Sequence, residues 1–382
     1  MTRWCKPMAQ EIPLEGFEPI DRPAAATARA CSNVALVKYW GKVDEQRRVP
    51  ATGSLSVTLG GLTTETTVAF SDREGPDLVV LDGRHIGGRE GARVSIFLDM
   101  IRSVSLLHRL PIGAASVRSA NYFPTAAGLA SSASGFAALA GAAVRAAGMK
   151  ASFDTLSNLA RLGSASAARS VHGGFVELVP FKRENGSWDA RTSPVASENH
   201  WDLRVLVSVV DAGYKPLGST PAMARTAATS PYYDGWLGSW GKDLAEAHEA
   251  IAARDLERLA SIVEHSALKL HALTMTSRPP VQFLRGPSIE LMHTVWDLRS
   301  SGTLCAFTAD AGPNIKVLCS PSDEERVRAA LMSVNGVQSV QATAVGGPID
   351  VVAHDVDPAG SWRTMSADNV EKDAEPSSSE RD

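Results

Sequence analysis

Hydrophobic positions near the start of the chain follow the two-residue alternation of β-strands. The segments "SNVALVKYW" and "SLSVTLGGLTTETTVAF" are β-branched and partly alternate apolar with polar side chains, which predicts strands. Gly60 and Gly61 lie within the second segment and predict a turn. We expect the chain before these segments, up to about Arg29, to be an irregular leader.

Helical spacing begins after these strands. Apolar residues three and four apart in "EGARVSIFLDMIRSVSLLHRL" predict a helix, and "GAASVRSA" predicts a further strand. An Ala-rich helix is expected from about Ser132 to near Gly148, and "SFDTLSNLARLG" predicts the helix after it.

The pattern becomes more helical from about Trp201. After a buried strand, "LRVLVSVVDA", the segment 232–273 is mostly helical, with an interruption near Ala253 and Arg254. Helices and strands then interleave without strict alternation of strand and helix. This order indicates an α+β fold and not a doubly wound parallel sheet.

The length of the chain indicates two domains, because single hydrophobic cores usually stop growing at about 250–300 residues and this chain has 382. We expect a leader at 1–29, a first domain at 30–200 and a second at 201–356. The polar, Ser-, Glu- and Asp-rich segment 357–382 is expected to be a disordered tail.

Composition narrows the class of protein. The net charge of −4 and the absence of a Lys/Arg run argue against nucleic-acid binding. No apolar run is long enough to span a bilayer, and the N-terminus lacks a signal-peptide pattern. The scattered cysteines Cys5, Cys31, Cys305 and Cys319 form no C-x-x-C pair, which favours reduced thiols and a cytoplasmic location.

A loop of small residues leads directly into the Ala-rich helix, in "NYFPTAAGLASSASGFAALA". Small residues allow close backbone approach to a ligand, and the first amides of a helix favour phosphate. Serine hydroxyls there can also ligate a magnesium ion carried by the phosphates. The alternative is a Ser-capped helix that only packs closely, since the segment is neither a Walker A motif nor a G-x-G-x-x-G turn.

Three other segments carry basic or hydroxyl side chains. "NVALVKYWGK" places Lys38 and Lys42 four residues apart, although two exposed lysines beside a core strand would give the same pattern. "GSASAARSVHGG" combines serines with Arg169, whose guanidinium suits phosphate or carboxylate, and a helix end with an incidental arginine is the alternative. "DAGYKPLGSTPAM" follows a buried strand and favours a phosphate-binding turn or an ordinary capped loop.

Asp310 is the acidic residue with the most suggestive setting. It follows an apolar strand and precedes a Gly-Pro turn in "FTADAGPNIK", where an aspartate can serve catalysis or initiate the turn. His265 and His271 are too far apart to bind metal from one helix face, and no H-E-x-x-H motif occurs. We expect them to pack or to lie on the surface.

Together and in this order, these segments resemble the diphosphomevalonate decarboxylases, a family within the superfamily of galactokinase, homoserine kinase, mevalonate kinase and phosphomevalonate kinase. The resemblance extends from about Ser32 to about Ala353. It rests on "NVALVKYWGK", "PTAAGLASSASGFAALA", "GSASAARSVHGGFVEL", "KPLGST" with "TSPYYDGW", "HALTM" and "DAGPN". Their joint occurrence is far more specific than any one of them.

The resemblance implies a two-domain α+β fold of the GHMP kinase type. Its N-terminal domain would be ribosomal-protein-S5-like, its C-terminal domain ferredoxin-like, and the substrate cleft would lie between them. It also implies a reaction in which ATP, with Mg²⁺, phosphorylates the tertiary 3-hydroxyl of mevalonate 5-diphosphate. Phosphate and carbon dioxide then leave to give isopentenyl diphosphate. A cytoplasmic homodimer without nucleic-acid or membrane partners is expected.

The same resemblance implies roles for individual residues. Asp310 would orient or deprotonate the 3-hydroxyl, Lys38 would neutralise the charge of the transferring phosphoryl group, and Arg169 would bind the substrate carboxylate or an adjacent phosphate while Asn33 anchors it. The residues implied for the 5-diphosphate are Tyr39, Lys42, Ser164, Ser166, Arg169, Ser219 and Thr220. Those implied for ATP are Pro124, Ala127, Gly128, Leu129, Ala130, Ser131 and Ser132, with Ser132 as a magnesium ligand.

Departures from the family pattern lie near the expected substrate pocket. Ser54 ends a Thr-Gly-Ser run where many members have Asn-Ser-Ser, and Ala165 and Ala222 stand where glycine is common. They leave open a decarboxylase of mevalonate 5-phosphate or a 3-kinase of the same fold. A non-catalytic metabolite-binding regulator is the alternative from another class. The presence of Asp310, Lys38 and Arg169 together favours decarboxylation.

Overall fold

The computed structural model describes residues 16–123, 131–211 and 217–355. Its strands are β1 (Phe17–Pro19), β2 (Ala25–Val37), β3 (Lys42–Asp44), β4 (Val49–Pro50), β5 (Ser54–Phe70), β6 (Leu78–Leu81), β7 (Arg84–His85), β8 (Ala115–Asn121), β9 (Met149–Ala151), β10 (Phe175–Lys182), β11 (Trp188–Ala196), β12 (Arg204–Val209), β13 (Cys305–Ala309), β14 (Ile315–Cys319), β15 (Ser339–Ala344) and β16 (Asp350–His354).

The helices are α1 (Gly88–Leu107), α2 (Ser131–Ala146), α3 (Phe153–Gly163), α4 (Ser219–Thr229), α5 (Tyr233–Ala253), α6 (Leu256–Met275), α7 (Gly286–Ser300) and α8 (Glu324–Met332), with 3₁₀ turns at Ala165–Ser170 and Pro321–Asp323. The α+β class is therefore confirmed. The expected interruption of the long helical segment separates α5 from α6, where Arg254 adopts a left-handed conformation. Among the described residues, no helix is long and apolar enough to cross a membrane.

Strand β5 organises the first sheet. It pairs with β2 along one edge, and with β10 and then β8 along the other. The predicted turn at Gly60 and Gly61 is wrong, because both residues lie inside β5. Cys31 pairs with Thr63 and its neighbour Ser32 pairs with Leu59, so three residues of β5 bulge out of register. A Cβ on Gly60 would lie 3.2 Å from the Gly346 Cα, so the small residue permits close approach of another segment.

The prediction of an irregular leader is wrong for the described residues near its end. Residues 17–19 form β1, which pairs with β9, and residues 25–29 are the first part of β2. This part of β2 is made of Ala, Thr and Arg and has low intrinsic strand preference. It is held as a strand by β5 on one side and β16 on the other. The rest of the leader and the expected tail at 357–382 lie outside the described residues.

The second sheet is antiparallel, in the order β13-β14-β12-β15. One face packs on α7 and α8 through a core that includes Leu206, Phe307 and Leu291. The opposite face packs on α5 and α6, and this core continues into β2 and β5 of the first sheet through residues such as Val57 and Leu259. Helices α5 and α6 thus lie where the two sheets meet.

The chain finally returns to the first sheet. Strand β16 pairs antiparallel with β2, with Asp350 opposite Arg29. The predicted second domain, 201–356, therefore gives its last described strand to the sheet of the first.

A buried carboxylate ties three elements of the second half together. Glu264 on α6 is 8% exposed and accepts hydrogen bonds from Arg299 and Trp296 of α7 and from the Phe307 backbone N–H of β13. The distances of Glu264 to Arg299 are 2.5 and 3.0 Å. Removing one partner of such a pair leaves the other charge poorly compensated.

We expect Glu264→Gln to lower the free energy of unfolding by about 2–4 kcal/mol, because the amide cannot balance the Arg299 charge. Urea denaturation of this variant beside Glu290→Gln, an exposed residue of α7, measures the effect. Equal stability of the two variants would show that the Glu264 network contributes little.

Candidate functional site

A cavity of about 560 Å³ opens where the two sheets meet. It is lined by every implied site residue that the structure describes, namely Asn33, Lys38, Tyr39, Lys42, Ser131, Ser132, Ser164, Ser166, Arg169, Ser219, Thr220 and Asp310. They come from the end of β2, the start of β3, the first turns of α2 and α4, the 3₁₀ turn and the end of β13. Pro124, Ala127, Gly128, Leu129 and Ala130 lie outside the described residues.

Two lysines bind the carboxylate at one side of this cavity. Asp310 follows β13, and its Oδ1 lies 2.6 Å from the Lys38 Nζ. Its Oδ2 lies 3.2 Å from the Nζ of Lys316 in β14. Lys38 and Lys316 are 2% and 3% exposed, whereas Asp310 keeps 31% of its side chain exposed. The carboxylate therefore faces the cavity while both ammonium groups are almost fully buried.

The charges of this group are mutually dependent. Burial alone would raise the pKa of Asp310, but Lys38 and Lys316 outweigh it and hold that pKa well below its usual range. Burial lowers the pKa of Lys38 to about 8, and Asp310 limits the fall while the like charges of Lys316 and Arg169 add to it. At neutral pH, the pair is a carboxylate and an ammonium ion.

The two histidines on α6 have different surroundings. His265 is exposed, whereas His271 is buried and contacts the ring of Phe283 edge-on at 6.4 Å. Burial, with a further contribution from the Lys38 charge, lowers the pKa of His271 to about 4. His271 is therefore a neutral side chain near the lysine–aspartate group at physiological pH.

Arg169 is fixed by two residues of the first sheet. Its Nη1 donates to the Ser54 Oγ at 2.7 Å, and its Nη2 donates to the Asn33 Oδ1 at 3.2 Å. Asn33 in turn donates to the Ser166 carbonyl and to the Ser170 Oγ, at 3.0 and 2.7 Å. The expected contact between Asn33 and Arg169 is present, and Ser54 is a partner that the sequence did not reveal.

A row of hydroxyl groups extends from α2 to the 3₁₀ turn. The Ser132 and Ser164 Oγ atoms are 3.4 Å apart, and the Ser164 and Ser166 Oγ atoms are 3.3 Å apart. Ser131 and Ser132 form the first turn of α2, whose positive dipole end favours an anion. On another wall, the Lys42 Nζ donates to the Thr220 Oγ1 at 3.2 Å.

Two arginines that the sequence analysis missed also line the cavity. The Arg48 Nε donates to the Leu162 carbonyl at 2.7 Å, and the Arg93 Nη2 donates to the Gly163 carbonyl at 2.8 Å. Within the part of the chain that the structure describes, neither guanidinium has a carboxylate within ion-pair distance. No local motif marks either residue, because only the C-terminus of α3 brings them together.

The donor set fits a magnesium ion held mainly by phosphate oxygens. The described residues contain no group of three or more His, Cys, Asp or Glu side chains arranged for a metal. Asp310 already binds two lysines, whereas the Ser132 hydroxyl is hydrogen-bonded only to another hydroxyl at 3.4 Å. Magnesium usually keeps few protein ligands and binds substrate phosphates.

Two family models match successive parts of the chain. The diphosphomevalonate decarboxylase-like N-terminal domain matches residues 30–189, and the mevalonate 5-diphosphate decarboxylase C-terminal domain matches residues 205–372. The human diphosphomevalonate decarboxylase is 38% identical over 323 residues, covering 80% of this chain and 77% of the relative. The Aspergillus fumigatus enzyme is 36% identical over 326 residues, covering 81% and 80%.

Solved structures agree with these matches. Mevalonate diphosphate decarboxylase from Staphylococcus aureus superposes with a TM-score of 0.80 at 36% identity, covering 86% of this chain and 98% of that one. A structure described as MDDEF in complex with MVAPP, AMPPCP and magnesium gives a TM-score of 0.79 at 37% identity, covering 86% and 99%.

We expect the Lys38 ammonium to lose its proton near pH 8, because its burial disfavours the charged form. Exposed lysines titrate near about 10.4. Carbon-13 NMR of lysine-labelled protein, with the Lys38 signal identified by its absence in Lys38→Met, measures the midpoint. A midpoint at or above that of the exposed lysines would contradict the expectation.

Proposed function

The chain belongs to the diphosphomevalonate decarboxylase family, and we propose that the cavity between its two sheets is the active site. The reaction is the ATP-dependent decarboxylation of mevalonate 5-diphosphate to isopentenyl diphosphate. ADP, phosphate and carbon dioxide are the other products. The observation that carries the proposal is the Asp310 carboxylate, which faces the cavity while Lys38 binds it from behind.

Asp310 acts on the tertiary 3-hydroxyl. This hydroxyl is a poor nucleophile, so the phosphoryl transfer needs a positioned acceptor for its proton and a donor held in line. The exposed edge of Asp310 supplies the acceptor as a carboxylate. Lys38 lies against that carboxylate and offsets negative charge that gathers as the phosphoryl group moves.

Arg169 holds the substrate carboxylate. Its guanidinium is fixed by Ser54 and Asn33, so it can make a bidentate contact at a defined angle. Departure of the 3-phosphate leaves an electron-poor carbon beside this carboxylate, and carbon dioxide leaves as the bonding electrons move to that carbon. The carboxylate must be oriented for this step but not bound so strongly that it cannot leave.

ATP binds at the N-terminus of α2. Ser131 and Ser132 contact the phosphates. The family resemblance implies that Pro124 and residues 127–130 also contact ATP. Ser132 would also hold magnesium, which when bound would neutralise the charge of the phosphates. The complex of MDDEF with AMPPCP and magnesium supports both ligands.

The 5-diphosphate binds at the side of the cavity that holds Lys42, Arg48 and Arg93. Burial lowers the pKa of Lys42, and the charges of Arg48 and Arg93 lower it further, whereas Glu45 opposes the shift. The three cations line the same cavity. Tyr39, Ser164, Ser166, Ser219 and Thr220 supply hydroxyl groups around them. Three clustered cations suit the charge of a diphosphate better than that of a monophosphate.

The described thiols Cys31, Cys305 and Cys319 are free, which supports a cytoplasmic location. A homodimer follows from the family resemblance alone. We place the domain boundary near residue 200, with residues 350–354 returning to the first sheet.

We expect folded Asp310→Asn to lose about a thousandfold or more in kcat, because the amide cannot accept the hydroxyl proton. The variant should also be less stable, because Lys38 and Lys316 lose their counter-charge, so its folded fraction is measured beside its activity. ADP and carbon dioxide are measured separately, with ATP, magnesium and mevalonate 5-diphosphate. Asp297→Asn, an exposed residue of α7, is the control. A variant within tenfold of wild type would remove Asp310 from the mechanism, and wild-type ADP release without carbon dioxide would make the protein a 3-kinase.

We expect Arg48→Asn to raise KM for mevalonate 5-diphosphate about tenfold or more, since a lost charge-assisted hydrogen bond costs about 1.5–3 kcal/mol. The KM for mevalonate 5-phosphate should change much less. Arg109→Asn is a matched control, because Arg109 is exposed and shares the left-handed backbone of Arg48, which asparagine tolerates. Equal effects of Arg48→Asn on both substrates would argue against a diphosphate contact.

A further inference from the structure

Lys316 is a charged residue in an otherwise apolar strand. All five residues of β14 are buried, and Lys316 is the second of them. Its position in the register is opposite Thr308, two residues before Asp310. Because alternate residues of a strand share a face, this register puts the Lys316 side chain on the same face as Asp310.

That face is directed at the first sheet. The Thr308 hydroxyl donates to the Ala35 carbonyl of β2 at 3.3 Å, and the Lys38 Nζ donates to the same carbonyl at 2.7 Å. The Lys316 ammonium donates to the Asp310 Oδ2 and, at 3.4 Å, to the Asn314 carbonyl. Asp310 is its ion-pair partner among the described residues.

A structural ion pair does not explain this arrangement. Burial of an ammonium ion is costly unless a charge compensates it. Lys38 already neutralises Asp310 at the shorter distance, so Lys316 leaves the group with one excess positive charge. The buried guanidinium of Arg169 adds another at the cavity wall. An excess of buried cations is favourable where an anionic ligand will complete the group.

We propose that Lys316 is a positioning residue for the decarboxylation, binding Oδ2 of Asp310 so that Oδ1 stays on Lys38 and the exposed edge of the carboxylate is aimed at the 3-hydroxyl. The proposal rests on the role of Asp310 in the proposed function. Each carboxylate oxygen then has its own fixed cation, and rotation of the carboxylate would break both contacts. Lys316 itself lies behind the carboxylate and does not line the cavity.

Lys316 also sets the charge state of its neighbours. The groups around Asp310 are Lys38 just after β2, Lys316 from β14, His271 from α6 and Arg169 from the 3₁₀ turn. The Lys316 charge lowers the pKa values of both Lys38 and Asp310. If it is removed, both pKa values rise. The alkaline limb of the rate profile, where Lys38 loses its proton, then moves to higher pH.

The test compares Lys316→Met and Lys316→Gln, which are neutral, with Lys316→Arg, which keeps the charge. We expect each neutral variant to lose about 10- to 100-fold in kcat while KM for ATP and for mevalonate 5-diphosphate changes less than about threefold, because positioning acts on the transition state. The alkaline limb of their pH–rate profile should move to higher pH. The alkaline limb of Lys316→Arg should stay at the wild-type pH.

Lys269→Met is the matched control, since Lys269 forms an ion pair with Asp243 between α6 and α5, outside the cavity lining. Its limb should stay at the wild-type pH. If the neutral Lys316 variants match this control in kcat and limb position, or if Lys316→Arg moves the limb as they do, the proposal is wrong. If Lys316→Met does not fold, the alkaline limb of Lys316→Gln decides, because this variant loses the charge even where its amide still donates to Asp310. Inactive wild type, or active Asp310→Asn, would instead overturn the proposed function.

Discussion

The ion pair between Lys38 and Asp310 is the interaction on which the rest of the site depends. Lys38 follows a strand of the first sheet and Asp310 follows a strand of the second, so the pair forms only when the two sheets meet. Neither charge would tolerate its burial alone. Nearby bonds have the same dependence, since the Lys38 backbone N–H donates to the Ser266 hydroxyl of α6 at 2.9 Å. Assembly of the molecule and assembly of the charge centre are thus one event.

The remaining groups of the site are held around this pair by different elements of the fold. Arg169 is held by the first sheet, the serines lie at helix starts, and the guanidiniums of Arg48 and Arg93 are anchored at the end of α3. Burial lowers the pKa of Arg169 against the opposing charges of Tyr39 and Asp310, and burial raises the pKa of Tyr39 against the opposing charges of Arg169 and Arg48. The Arg169 guanidinium carbon lies 6.0 Å from the centroid of the Tyr39 ring, so this ring is a direct neighbour of the reaction centre.

Sequence patterns were most informative where chemistry is local. The Ala-rich helix and the break at Arg254 follow from neighbouring residues. The family resemblance pointed to Asn33, Lys38, Arg169 and Asp310, which line one cavity. Errors arose where distant segments decide the structure. The bulge at Gly60 depends on the approach of Gly346, and the early part of β2 depends on β16. Lys316 was missed because a single lysine in a strand carries no local signature.

Strand β16 makes completion of the first sheet wait for synthesis of the second half of the chain. The first sheet holds residues from near both ends of the described chain, because β2 starts at Ala25 and its partner β16 ends at His354. During synthesis, the outer edge of β2 stays open until residues 350–354 have left the ribosome. Pairings of such high contact order form slowly, and open strand edges favour association with other chains. The nascent chain therefore carries an open, association-prone strand edge until β16 emerges.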